Sequence, residues 1–73
     1  MLIGIKPDDA IRAFERAGGI VKKRHGGSHV VIKMPNGQSL SIPDHGAVKA
    51  GLLQAAIRKA GMTVDEFLSF FGR

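Results

Sequence analysis

The chain has 73 residues, of which 44% are hydrophobic, 23% are charged and none is cysteine. This length suits one small domain over residues 1–73, and the lack of cysteine excludes a disulfide-stapled secreted scaffold and thiolate metal sites. Eleven Lys and Arg against six Asp and Glu give a net charge of +5, which favours an anionic partner such as RNA, DNA, an acidic protein or a membrane surface. We expect no membrane span, no signal peptide and a cytoplasmic location.

The first predicted element is a helix that begins at Pro7, a residue suited to the first helical position. Apolar residues recur in it at helical spacing: Ala10, Ile11, Phe14 and Ala17. We expect the helix to end at Gly18 and Gly19, because glycine can adopt the left-handed conformation of a helix cap.

Three strands are predicted next, at Ile20–Arg24, Ser28–Met34 and Ser39–Pro43. The turn His25–Gly27 separates the first two. Pro35–Gly37 is typical of a hairpin, because Asn and Gly tolerate positive φ. The last two strands alternate apolar and more polar side chains, which predicts an antiparallel sheet covered on one face.

A second helix is predicted from Ala50 to Ala60, and Gly61 ends it. Its apolar stripe consists of Leu52, Leu53, Ala56, Ile57 and Ala60. Thr63 and Glu66 have the spacing of a capping box, which starts a short helix that carries the apolar residues Phe67, Leu68 and Phe71. The order is therefore α-β-β-β-α with a helical tail, an α+β fold.

Basic residues are concentrated in the middle of the chain. From Arg16 to Pro43 there are five basic residues and no acidic one. Four of them, which we call the basic set, belong to the first two predicted strands: Lys22, Lys23, Arg24 and Lys33. We expect them to neutralise phosphates along one face of the sheet, and a merely solvated basic face is the alternative. With four Phe as the only aromatic residues, we expect RNA contact through backbone charge and shape rather than base stacking.

Histidine ordinarily exchanges protons near neutral pH, so an acid–base enzyme would draw on His25, His29 or His45. Strand alternation places His29 opposite to Val30 and Ile32, on the sheet face that the helices do not cover. From the residues alone, a catalytic role and an ordinary exposed histidine both stay open. The His and carboxylate spacing predicts no metal or other cofactor, and no serine nucleophile motif is present.

Five segments form a recognisable combination: Gly27-Ser28-His29, Pro35-Asn36-Gly37, Pro43-Asp44-His45, Lys49-Ala50-Gly51-Leu52-Leu53 and Ile57-Arg58-Lys59-Ala60-Gly61. Together they resemble the HicA family of toxins, and the resemblance extends from the first helix to Phe67. It implies that the chain is a single HicA-like domain with the α-β-β-β-α fold of a double-stranded-RNA-binding domain.

The resemblance also implies a function, that of an mRNA interferase neutralised by a HicB-type antitoxin. It places His29 at the position of the family's catalytic histidine, whereas His45 matches a recurrent histidine with no implied role. We expect metal-independent acid–base cleavage of RNA, which Ser28 and the basic set would contact. The alternatives are a non-catalytic RNA-binding module of the same fold and an inactive antitoxin-binding remnant.

Overall fold

A computed structural model describes residues 4–25, 29–44 and 46–71, and for residues 23–25 it describes the backbone alone. The described residues form six elements: α1 (Pro7–Arg16), β1 (Ile20–His25), β2 (His29–Lys33), β3 (Ser39–Pro43), α2 (Ala50–Lys59) and α3 (Val64–Ser69). This arrangement confirms the predicted α+β class and is consistent with a double-stranded-RNA-binding-domain-like fold. The predictions for Gly26, Gly27, Ser28 and His45 lie outside the described residues.

The three strands form one antiparallel sheet in the order β1-β2-β3. β2 and β3 each direct two side chains toward the helices, and all four are fully or almost fully buried: Val30, Ile32, Leu40 and Ile42. Helix α1 packs on β2 and β3, and α2 packs on β3. The prediction that helices cover only one face is therefore confirmed, and we call the other side the open face.

Strand β1 carries an irregularity that the sequence pattern did not predict. Val21 lies opposite Ile32 but Lys23 lies opposite Val31, so Lys22 is an extra residue in the ladder. Such a bulge bends its strand and increases the local twist. β1 also continues one residue beyond the predicted end, to His25.

The two glycines after α1 have different roles, which corrects the prediction that both serve as left-handed caps. Gly18 has a φ of 103°, as expected of a helix cap. Gly19 does not have a positive φ, but a Cβ atom there would lie 2.7 Å from the Met34 Sδ and 2.8 Å from the Phe14 carbonyl oxygen. Gly19 is therefore required because the chain after α1 passes too close to the Phe14 carbonyl and to the Ile32 and Met34 side chains to leave room for a Cβ atom.

The hairpin between β2 and β3 lies where it was predicted. Of its two residues that tolerate a positive φ, only Gly37 adopts one, at 88°, whereas the φ of Asn36 is negative. The Gly37 amide donates to the Met34 carbonyl and the Met34 amide donates to the Gln38 carbonyl, the bonding pattern of a loop with a G1 bulge. Asn36 has another role: its Nδ2 donates to the Lys59 carbonyl at 3.0 Å and thereby joins the hairpin to the end of α2.

The short helix α3 completes the core. Its predicted capping box is confirmed, because the Thr63 hydroxyl accepts from the Glu66 amide at 3.1 Å and the Glu66 carboxylate accepts from the Thr63 amide at 2.9 Å. The ring of Phe67 is buried, and its centroid lies 4.9 Å from the ring centroid of Phe14 in α1. Arg16 Nη1 also donates to the Phe70 carbonyl, so α1 and α3 are joined at their ends.

Helix α2 has a narrower buried stripe than predicted. Leu53 and Ile57 are fully buried, whereas Leu52, which was predicted to belong to the stripe, is 40% exposed. The difference arises because β3 is the last strand of the sheet, and the side of α2 that carries Leu52 extends past its outer edge. None of the helices in the described part of the chain is long and apolar enough to cross a membrane.

Candidate active site

His29 is the first residue of β2, the central strand, and its side chain is exposed. In the register it lies opposite Pro43 of β3 on one side and His25 of β1 on the other. Residues paired in this way have Cα atoms about 4.5–5.5 Å apart. The predicted position of His29 on the open face is confirmed, and its catalytic role stays a prediction.

Two buried neighbours hold His29 on this face. Val30 and Ile32 are both 0% exposed and follow His29 in a strictly alternating pattern. A shift of the strand by one residue would expose both aliphatic side chains and turn the imidazole toward the core. The position of the imidazole is therefore determined by apolar burial on the opposite side of the strand.

The described strand positions of the open face carry no acidic residue. Besides His29, the exposed open-face positions of β2 and β3 are Lys33, Ser39 and Ser41, whereas Val31 and Pro43 on the same face are half-buried. At the β1 edge, Ile20 is 61% exposed. An extended polyanion could therefore lie across this face without meeting a carboxylate there.

The structure describes the side chains of only two members of the basic set, Lys22 and Lys33. Lys33 is exposed at the far end of β2, about 13 Å along the strand from His29 at 3.3 Å per residue. Lys22 is exposed at the bulge of β1. Lys23 and Arg24 occupy register positions opposite Val31 and Val30, which belong to opposite faces of the sheet, so the expectation that the whole set lies along one face is wrong. Their side chains lie outside the described residues, and RNA contact by the set stays a prediction.

A cleft of about 460 Å³ lies at the end of the sheet where β3 leaves it. Its lining residues come from both sides of the start of α1 and from the segment after β3: Gly4, Lys6, Pro7, Asp8, Asp44, Gly46 and Ala47. The Val48 amide donates to the Ile5 carbonyl at 2.8 Å and holds the two segments together. Sequence reasoning missed this cleft, because its two walls are about forty residues apart and neither has a distinctive local pattern.

Among residues 4–25, 29–44 and 46–71, no three of His, Asp and Glu lie close enough together to hold a metal ion. A family model described as the HicA toxin of bacterial toxin–antitoxin matches residues 7–62. The matched region extends from α1 through all three strands to the end of α2 and includes His29. A search among curated proteins finds no match.

Proposed function

The chain belongs to the HicA family of toxins of bacterial toxin–antitoxin systems, and from this premise we propose that it is an endoribonuclease that cleaves mRNA with His29 as its catalytic residue. One observation carries the proposal. The histidine that the family resemblance identifies as catalytic is exposed on the open face, where a strand of RNA can reach it.

The proposed reaction is transesterification within the RNA backbone. A base removes the proton of a ribose 2′-hydroxyl, the 2′-oxygen attacks the adjacent phosphorus, and the bond from phosphorus to the 5′-oxygen breaks. An acid protonates the departing 5′-oxygen, so the products are a 2′,3′-cyclic phosphate and a 5′-hydroxyl end. His29 can act as the base, as the acid, or as both in turn through water, and a positioned proton-transfer group contributes about 10²- to 10⁴-fold.

Cationic side chains would bind phosphates that flank the cleaved bond, since Lys33 lies about 13 Å along β2 from His29. Lys33 and Lys22 are the described members of the basic set, and both are exposed. No aromatic side chain lies on the described part of the open face, so phosphate contacts rather than base stacking would hold the RNA. We expect such binding to depend weakly on RNA sequence.

Membership of the family implies an antitoxin partner. We propose that a HicB-type antitoxin acts in the cytoplasm by covering the open face, because a partner bound there blocks the access of RNA to His29 directly. The net charge of +5 suits an acidic partner, which would associate rapidly through electrostatic steering. A complex in which His29 remains fully accessible to RNA would contradict direct occlusion.

The test is cleavage of a single-stranded mRNA by the purified chain in EDTA. We expect the wild-type chain to produce fragments with 2′,3′-cyclic phosphate and 5′-hydroxyl ends. The His29→Ala variant should cleave at least about 100-fold more slowly. An RNA of the same sequence with 2′-O-methyl groups should be bound but not cleaved. Wild-type cleavage by His29→Ala, or fragments with 5′-phosphate ends, would refute the assigned chemistry.

A second candidate function is RNA binding without cleavage. It is favoured by the double-stranded-RNA-binding-domain-like fold and by the acid-free stretch from Arg16 to Pro43. The same experiment separates the two functions. A non-catalytic module would bind the natural and the 2′-O-methyl RNA equally and would leave both intact.

A further inference from the structure

The two edges of the sheet differ in how far they are protected against pairing with another strand. β1 has the features with which natural proteins block an edge, since it contains a bulge at Lys22 and a run of basic residues. β3 has neither: it has five residues, no charged side chain and a regular register from Ser39 to Pro43. The β3 edge is therefore able to accept a further strand.

The hairpin bonds show which backbone groups of β3 point outward. Met34 and Gln38 form a hydrogen-bonded pair at the turn, and bonded and non-bonded pairs alternate along an antiparallel ladder. Leu40 and Ile42 therefore bond to β2, whereas the amides and carbonyls of Ser39 and Ser41 point away from it. Pro43, which has no amide hydrogen, ends the edge. Within the described part of the chain, β3 has no strand partner on this outer side.

An apolar groove runs along this same edge. It encloses about 250 Å³ between β3 and α2, and its lining residues are Leu40, Ser41, Leu52, Ala55, Ala56 and Lys59. Leu52 is one of the two large apolar side chains that the described residues leave exposed. A strand added beside Ser41 would direct every second side chain into this groove.

We propose that the outer edge of β3 binds an extended segment of the antitoxin as a fourth strand, which places apolar side chains in the groove beside Leu52. This inference rests on the proposed function, which supplies the partner. Strand addition of this kind derives affinity from main-chain hydrogen bonds and specificity from pockets for alternate side chains.

The charges around the groove identify the chemistry of the segment. β3 and α2 contain no acidic residue, and Lys59 lines the groove itself. An acidic residue beside the apolar positions of the added strand would complement Lys59. A second copy of this chain would instead bring two Lys59 side chains and two molecules of net charge +5 together. RNA phosphates would gain little from apolar walls.

The first test introduces a charge into the groove and measures binding to the purified HicB-type antitoxin from the same genome. Leu52→Glu should raise the Kd at least about 10-fold, because it replaces an apolar wall of the groove with a carboxylate that repels the acidic residue of the added strand. The matched control, Gln54→Glu, makes the same charge change at an exposed position of α2 outside the groove. Leu52→Glu should cleave RNA at the wild-type rate but should escape neutralisation.

A second test addresses the backbone bonds themselves. Ser41→Pro removes an outward amide that makes no ladder bond, which edge strands tolerate, so the fold should survive while the Kd rises about 10-fold. Ser41→Ala keeps the amide and should bind normally. Hydrogen exchange of the wild-type chain gives an independent readout: the Ser39 and Ser41 amides should exchange rapidly in the free chain and slowly in the complex.

The outcomes separate this proposal from the proposed function. Equal Kd values for Leu52→Glu and Gln54→Glu, or unprotected Ser39 and Ser41 amides in the complex, would overturn the edge proposal and leave the nuclease and its partner intact. A dimer of the chain alone that Leu52→Glu dissociates would assign the edge to self-association instead. A wild-type chain without affinity for the antitoxin would overturn the partner assignment and the edge proposal with it.

Discussion

Two substitutions in β2 test whether its two faces have the separate roles that we assign to them. His29 is exposed on the open face, whereas Ile32 is 0% exposed on the face that packs against the helices. His29→Ala removes the proposed catalytic group and little buried surface. Ile32→Ala removes core volume and leaves the open face unchanged. We therefore expect one variant to lose activity and the other to lose stability.

The burial of each side chain determines how much its substitution changes the free energy of unfolding. An exposed substitution away from special contacts changes the free energy of unfolding within about 0.5 kcal/mol. Truncation of a buried Ile to Ala costs about 2–5 kcal/mol through lost burial and the cavity left behind. In a domain of this size about 1 kcal/mol shifts the Tm by about 4–8 °C. His29→Ala should therefore move the Tm by at most about 4 °C, and Ile32→Ala should lower it by at least about 8 °C.

The assay combines thermal unfolding with RNA cleavage in EDTA on the same preparations, at a temperature where Ile32→Ala is folded. We expect His29→Ala to melt like the wild type and to cleave at least about 100-fold more slowly. Ile32→Ala should melt early and retain most of the cleavage rate. Wild-type cleavage by His29→Ala would refute the site, and unfolding of His29→Ala would refute the strand register.

Four further predictions concern the salt dependence of RNA binding, two glycines and the cap of α3. With about four phosphate contacts by the basic set, at a slope of about −0.7 each, a rise in salt of about fourfold should weaken RNA binding about 50-fold, and a flat titration would contradict phosphate contact. Gly19→Ala should destabilise the chain by about 1–3 kcal/mol through its clash with the Phe14 carbonyl and the Ile32 and Met34 side chains. Gly51→Ala, in open space within α2, should stabilise it by about 0.5–1 kcal/mol. Thr63→Ala should cost about 0.5–2 kcal/mol by removing the acceptor for the Glu66 amide. Denaturant unfolding measures these three stabilities, and equal values for the two glycine variants would contradict the close approach at Gly19.

The sequence by itself determined the features that depend on short-range periodicity and local bonding. Alternation along β2 determined that His29 lies on the open face, because Val30 and Ile32 can be buried together only when His29 points away from them. The capping box of α3 was likewise predictable, since its two hydrogen bonds join the side chain of Thr63 or Glu66 to the backbone amide of the other, only three residues away. The order of the elements followed from the same kind of local pattern.

Only the tertiary structure decided the features that depend on residues far apart in the chain. The requirement for glycine at position 19 depends in part on the Ile32 and Met34 side chains, and the side chain of Asn36 finds its acceptor in the Lys59 carbonyl. Leu52 is exposed because the sheet ends at β3. The helical spacing of the apolar residues around Leu52 cannot show where the sheet ends. Periodicity shows that a helix or strand has an apolar face. Which side chains of that face become buried depends on how the whole sheet and its helices pack together.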